Sequence, residues 1–139
     1  MTPAQIELVQ DSFRKVLPIK ETAGELFYSR LFTIDPGLRP LFPEDLKPQI
    51  QKLMAMIATA VGGLNRLDAI VPAVQDLGRR HVSYGVKDKD YDTVGAALLW
   101  TLEKGLGDAF TPETKAAWTA CYSLLSATMK NAAHSVAAA

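Results

Sequence analysis

Histidine and cysteine are scarce in this chain of 139 residues, which contains 2 histidines and 1 cysteine. A lone cysteine cannot form an intramolecular disulfide, and zinc sites usually need three or four protein ligands. Neither a disulfide framework nor a zinc centre is therefore expected. Cys121 falls within an apolar helical stripe, which predicts a buried and unreactive thiol.

An excess of either charge is also missing, because 15 lysines and arginines balance 15 aspartates and glutamates. A neutral chain lacks the basic footprint that nucleic-acid binding needs. No apolar run approaches the roughly 20 residues that span a bilayer, and the first residues lack the pattern of a secretory signal. These absences predict a cytoplasmic protein that has neither nucleic acid nor a membrane as its partner.

Helical periodicity is what the sequence does contain. No segment alternates apolar and polar residues in the way a strand does, whereas apolar residues recur every three or four positions. The pattern predicts two helices, a proline-rich corner after Asp35-Pro36, a long helix, a shorter one with a histidine, and two long helices. Thr2-Pro3 and Thr111-Pro112 each supply a capping hydroxyl and a first-turn proline. The expectation is one all-α domain over residues 1–139.

Of the two histidines, His81 is the candidate metal ligand. It follows Leu77 in a helix expected to begin near Asp68 with Pro72 in about its first turn, whereas His134 comes after the last strong apolar position. Haem needs only one protein ligand, because the porphyrin itself supplies the equatorial nitrogens. Taken alone, a helical histidine is more often a surface or hydrogen-bonded residue than a metal ligand.

Four motifs occur in a fixed order along the chain. They are Phe27-Tyr28-Ser29-Arg30-Leu31-Phe32 with Asp35-Pro36, Leu38-Arg39-Pro40-Leu41-Phe42, Ile70-Val71-Pro72-Ala73-Val74 leading to Arg79-Arg80-His81, and Tyr91-Asp92-Thr93-Val94-Gly95 leading to Leu98-Leu99. Through these motifs the sequence resembles, over essentially its whole length, bacterial single-domain globins and the globin part of flavohaemoglobins. The resemblance implies a globin fold of about six to eight helices around one haem b, iron protoporphyrin IX.

The resemblance makes His81 the proximal iron ligand and Phe42 the aromatic residue that packs against the porphyrin face. Tyr91 matches the tyrosine that such globins place beside the histidine. The glutamate that usually accompanies it is missing, because Met129 to Ser135 contains no acid. Without that carboxylate, the imidazole is expected to donate less electron density. Arg80 is carried over as the partner of a haem propionate.

The resemblance places Tyr28, Gln49 and Leu53 on the distal side, over the sixth position of the iron. Gln49 and Leu53 lie four residues apart, so one helix face presents both an amide and an apolar wall. Hydrogen-bond donors suit oxygen, which acquires partial negative charge in a haem pocket. From the residues alone, Tyr28 is also compatible with a core tyrosine, Gln49 with a side chain in water, and Phe42 with an ordinary core aromatic. Further apolar walls are expected from Ile57, Leu77, Val86, Val94 and Leu98.

Two functional classes follow from these assignments. One is a globin that reversibly binds oxygen and other diatomic gases for storage, delivery or sensing. The other is an enzyme, a nitric oxide dioxygenase for which a separate reductase regenerates ferrous haem. Tyr28 and Gln49 would be the catalytic pair of the enzyme, and the same pair would stabilise bound oxygen in the oxygen-binding globin. Because both classes bind oxygen, oxygen binding is the broader hypothesis. The order of the motifs argues against a helical interaction module without a cofactor.

Overall fold

Six α-helices make up the fold in the computed structural model, which describes residues 1–83 and 85–138 and all their side chains except those of residues 83 and 135–138. No strand occurs in these two ranges, so the all-α prediction is confirmed. Short 3-10 turns join several of the helices, and the one at Pro36–Leu41 forms the predicted corner. The helices are α1 (Pro3–Val16), α2 (Lys20–Ile34), α3 (Lys47–Gly62), α4 (Leu67–Ser83), α5 (Asp88–Leu106) and α6 (Pro112–Ala138).

Side-chain caps fix where the first and last helices begin. The backbone N–H of Gln5 donates to the Thr2 hydroxyl at 3.1 Å, and the Gln5 side chain accepts from the Thr2 N–H at 3.0 Å. At the last helix, the N–H of Thr114 donates to the Thr111 hydroxyl at 3.2 Å. Such caps typically contribute about 1 kcal/mol each. Both helices therefore begin where the sequence predicts.

The helix that carries His81 differs from its prediction in length and in the position of its proline. It has 17 residues against 16 in α3, so it is not the shorter of the two. Because it begins at Leu67, Pro72 lies in its second turn and removes one backbone hydrogen bond. Pro72 and Asp68 are both exposed, so the Asp68 carbonyl that loses its partner can bond to water. The helix therefore tolerates its proline.

The core lies where α1 and α2 pack against α5 and α6. Trp118 is 2% exposed, and its indole N–H donates to the Ser12 hydroxyl at 2.8 Å, which satisfies the polar atom of a large buried ring. Cys121 is buried beside it along α6. Burial raises the pKa of the Cys121 thiol to about 11, so this thiol stays protonated at neutral pH.

No single helix within the described ranges is long and apolar enough to cross a membrane. The helix α3 and the segment Leu64–Val82 meet that requirement of length and composition only when they are joined across a bend of 54°. Several apolar side chains of α3, among them Ile50, Met54 and Val61, are buried inside the protein. Packing within the fold therefore accounts for the apolar character of α3.

Gly78 marks the place where α4 comes closest to α6. A β-carbon at Gly78 would lie 2.7 Å from the Cα atom of Met129 and 2.9 Å from its carbonyl carbon. These are backbone atoms, which cannot rotate out of the way. The helix α4 packs mainly along α6 and touches α3 much less. Gly78 therefore sets the position of α4, three residues before His81.

We expect Gly78→Ala to lower the free energy of unfolding by about 1–3 kcal/mol, because the added methyl group overpacks a rigid contact. Chemical unfolding measures this loss. Gly62→Ala is the matched control, since Gly62 is also helical and a β-carbon there would meet nothing within 4 Å. Its stability should stay the same or rise by up to about 1 kcal/mol. Wild-type stability in Gly78→Ala would contradict the close packing of α4 on α6.

Candidate functional site

Tyr28 and Gln49 form a polar pair inside the protein. Tyr28, on α2, is 2% exposed, and its hydroxyl shares a hydrogen bond with the side chain of Gln49, the third residue of α3. Burial raises the pKa of Tyr28 to about 12, and the bond to Gln49 offsets part of that effect. The phenol therefore stays protonated at neutral pH and able to donate. Gln49 is half-buried, and it contacts Tyr28 rather than extending into water.

Aromatic rings hold the Tyr28 ring in place. Phe27 packs edge-on against it with ring centres 5.0 Å apart, and Phe42 does so at 5.4 Å. Phe32 stacks against Tyr28 at 6.0 Å and meets Phe42 at 5.6 Å. Phe42, at the end of the corner, therefore contacts Tyr28 directly. Phe32 was not predicted as a site residue, although its spacing of four from Tyr28 places both side chains on one helix face.

Apolar walls on α3 and α5 meet beside this pair. Leu53, Ile57 and Leu98 line a small apolar cavity of about 20 Å³, together with core residues that include Phe27 and Trp118. Leu53, Ile57, Leu98 and Val94 all stay half-buried at the edge of the core. Half-buried apolar side chains on facing elements are surfaces that a flat apolar cofactor can cover.

His81 has the geometry of a metal ligand. It lies half-buried on α4, with its Nδ1 2.7 Å from the carbonyl oxygen of Leu77. A protonated Nδ1 donates to that oxygen, which leaves the lone pair of the neutral ring on Nε2. Burial lowers the pKa of His81, the Leu77 carbonyl opposes this shift, and the charge of Arg80 adds to it. The imidazole is therefore neutral at pH 7, as a metal ligand must be.

Val86 and Tyr91 complete the surroundings of His81. The Val86 N–H donates to the His81 carbonyl at 3.1 Å, following a turn at Gly85 with φ +83°. The Tyr91 ring stacks on the imidazole with ring centres 6.3 Å apart. The backbone carbonyl of Tyr91 accepts a hydrogen bond from the Tyr122 hydroxyl at 2.6 Å. The side-chain hydroxyl of Tyr91 is buried and has no partner among the described residues. The predicted proximal residues are thus brought together.

Arg80 is set apart from this group. It lies exposed on α4, and its Nε is 3.3 Å from a carboxylate oxygen of Asp76, one helical turn earlier. Exposed ion pairs of this kind contribute about 0–1 kcal/mol. The role of Arg80 at a haem propionate therefore stays a prediction.

The residues present fit a haem better than a metal ion held by protein ligands alone. No cluster of three or more histidine, cysteine or acidic side chains suited to a metal ion occurs in the part of the chain that the structure describes. A haem needs one neutral imidazole and apolar walls, which His81 and the half-buried side chains of α3 and α5 supply. The limited contact between α3 and α4 leaves both helices able to face a flat group.

Comparison with known proteins identifies the family. The globin family model matches residues 25–129. The neuroglobin of Tetraodon nigroviridis is 33% identical over 138 residues, and that of Danio rerio is 31% identical over 137 residues. Each alignment covers 88% of this chain and 86% of the relative. These relatives are vertebrate neuroglobins rather than flavohaemoglobins, so the flavohaemoglobin resemblance stays a prediction.

Solved structures show the same fold. A bacterial globin from Campylobacter jejuni superposes with a TM-score of 0.88 at 23% identity, over 99% of this chain and 100% of its own. A hexacoordinated haem protein from an anhydrobiotic tardigrade gives a TM-score of 0.88 at 17% identity, over 96% of both chains. The neighbours thus include a bacterial globin, as the sequence predicted. With the family model, relatives above 30% identity and the shared fold in agreement, this chain belongs to the globin family.

Proposed function

We propose that this chain holds one haem b between α3 and α4, with His81 as the proximal ligand, and reversibly binds oxygen beside Tyr28 and Gln49. Globins as a family bind haem and diatomic gases such as oxygen. The observation that carries the proposal is the half-buried His81, whose Nδ1 lies 2.7 Å from the Leu77 carbonyl oxygen and whose Nε2 is thereby left to bind a metal. The buried Tyr28 hydroxyl, which keeps its proton at neutral pH, would supply a hydrogen-bond donor to an oxygen ligand.

Residues on both sides would hold the cofactor. When bound, haem supplies an iron with an axial position that can take a diatomic gas. His81 would bind through Nε2 while the Leu77 carbonyl holds the ring, and Phe42 would pack on the porphyrin face. Arg80 would pair with a propionate through charge-assisted hydrogen bonds from its guanidinium. The remaining apolar walls are Leu53, Ile57, Leu77, Val86, Val94 and Leu98.

Tyr28 and Gln49 supply selectivity among gases. Oxygen acquires partial negative charge in a haem pocket, so fixed donors favour it over less polar ligands. The Tyr28 hydroxyl keeps its proton because its pKa is about 12, and the Gln49 amide carries N–H donors. Their mutual bond orients both groups before a ligand arrives. Little reorganisation is then needed when oxygen enters.

We favour reversible binding over nitric oxide dioxygenation because of the surroundings of Tyr91. A carboxylate next to the proximal residues would make the imidazole more basic. Here the ammonium group of Lys130 lies 5.6 Å from the centre of the Tyr91 ring, and the Tyr91 hydroxyl has no partner among the described residues. A Tyr91 hydroxyl that is not bonded to a carboxylate makes strong electron donation by His81 less favourable. The proximal side therefore supports a carrier rather than an enzyme.

The spectrum of the reduced protein tests this proposal. The second histidine of the chain is His134, whose Nε2 lies 2.7 Å from a carboxylate oxygen of Asp88. This pair joins α6 to α5. We therefore expect five-coordinate ferrous haem, in contrast to the hexacoordinated tardigrade neighbour. Absorption spectra should show one broad visible band under argon, which changes on adding oxygen and returns on removing it. Sharp six-coordinate bands under argon would contradict an open distal site.

A further inference from the structure

We propose that Arg39 positions Tyr28 by holding Phe42 and Phe32, so that the Tyr28 hydroxyl is directed at bound oxygen. Arg39 lies half-buried in the 3-10 turn Pro36–Leu41 between α2 and α3. It does not contact the ligand, and it acts through the aromatic rings as a positioning residue. The inference rests on the proposed function, since it concerns the same distal pocket.

The guanidinium of Arg39 holds the backbone after the corner. One terminal nitrogen donates to the carbonyls of Phe42 at 3.2 Å and Pro43 at 2.9 Å, and the other donates to the carbonyl of Glu44 at 3.0 Å. In return, the Phe42 N–H donates to the Arg39 carbonyl at 3.1 Å. Pro43 and Glu44 are exposed, so packing does little to hold them. The fork of arginine can bond several acceptors at once, which a lysine cannot reproduce.

The same guanidinium lies over an aromatic ring that contacts Tyr28. Its carbon is 5.2 Å from the centre of the Phe32 ring, a cation–π contact. Phe32 and Phe42 meet with ring centres 5.6 Å apart, and each contacts the Tyr28 ring. Arg39 thus holds both rings that flank Tyr28 on the corner side. Because Tyr28 is buried and closely packed, a shift of Phe32 and Phe42 is expected to shift its ring and hydroxyl as well.

Gas release from Arg39→Ala tests the inference. We expect oxygen to dissociate about threefold faster or more, with carbon monoxide release changed by less than about twofold and haem content unchanged. Carbon monoxide carries much less charge when bound, so it reports general loosening rather than a lost hydrogen bond. In a Tyr28→Phe background, Arg39→Ala should add no further acceleration, because both changes act on one group.

A control and a second measurement separate positioning from general stability. Arg30→Ala removes a similar cation–π contact, since the Arg30 guanidinium lies 5.1 Å from the Trp100 ring centre, and it should leave oxygen release unchanged. Hydrogen exchange in the carbon monoxide complex should be faster over residues 40–46 in Arg39→Ala only. Arg39→Lys keeps the charge without the fork, and it should accelerate oxygen release in the same direction.

Arg39→Ala with normal haem content and wild-type oxygen release would overturn the inference, and so would equal acceleration of both gases. If the alanine variant does not fold, unchanged oxygen release in Arg39→Lys would overturn it instead. A wild-type protein that holds no haem would contradict the proposed function itself. That result is visible before any variant is made, so the two failures are distinguishable.

Discussion

Replacing His81 with alanine is expected to abolish stable haem retention, whereas His134→Ala should retain haem at the wild-type level. The bond between His81 Nδ1 and the Leu77 carbonyl presents the other ring nitrogen to a metal, and no cluster of other metal ligands occurs in the described residues. His134 instead forms an exposed pair with Asp88. The haem-to-protein ratio after gel filtration measures the difference. Loss of a cofactor that binds only the folded state should also lower the unfolding temperature.

External imidazole provides a further check on His81→Ala. If the variant is folded and lacks only the ligand, added imidazole should occupy the position of the side chain and restore haem binding. Equal haem content in His81→Ala and His134→Ala would show that His81 is not the ligand. An imidazole-insensitive His81→Ala protein with normal helicity would contradict the proposed position of the iron.

The second large effect is expected for Tyr28→Phe, in which oxygen should dissociate roughly tenfold faster. The substitution removes one hydrogen bond, of order 1–2 kcal/mol, and keeps the ring in contact with Phe27, Phe32 and Phe42. Carbon monoxide release should change little. Stopped-flow displacement of each gas measures the contrast, which separates a lost hydrogen bond from a looser pocket.

Tyr122→Phe is the matched control for Tyr28→Phe. It also removes a partly buried hydroxyl, but the Tyr122 hydroxyl donates to the Tyr91 carbonyl on the proximal side. Any effect there should be similar for oxygen and carbon monoxide. Gln49→Leu should act in the same direction as Tyr28→Phe, and the double variant should be nonadditive because the two side chains are bonded to each other. Unchanged oxygen release in Tyr28→Phe would make Tyr28 a core residue only.

The sequence predicted the helices because caps and apolar stripes are short-range patterns, whereas the site residues followed from the family resemblance and their roles stay predictions. Thr2 and Thr111 determine helix starts through caps one turn away. Gln49 and Leu53 share a helix face by spacing alone. The hydrogen bond between Tyr28 and Gln49 joins residues of α2 and α3, and its distal assignment depended on the family resemblance.

Residues that act through the backbone were not predictable from side-chain patterns. Arg39 bonds to three backbone carbonyls, a group that every residue carries whatever its side chain. The sequence therefore does not distinguish Arg39 from a solvent-exposed arginine in a proline-rich corner. From the sequence, Gly78 is only a residue that weakens a helix. The structure shows that it allows the backbone of Met129 to approach α4 closely. The propionate role of Arg80 followed from the resemblance alone, and the exposed pair that Arg80 forms with Asp76 was not predicted because either side chain could instead have bonded to water.

Titration of the purified, haem-free protein with haemin tests the central claim most directly. We expect the Soret absorbance to rise to a break at one haem per chain, and the reduced complex to take up and release oxygen reversibly. The same titration of His81→Ala should show weak binding without a break. A wild-type titration without saturation, or a break that persists unchanged in His81→Ala, would contradict a haem held by His81.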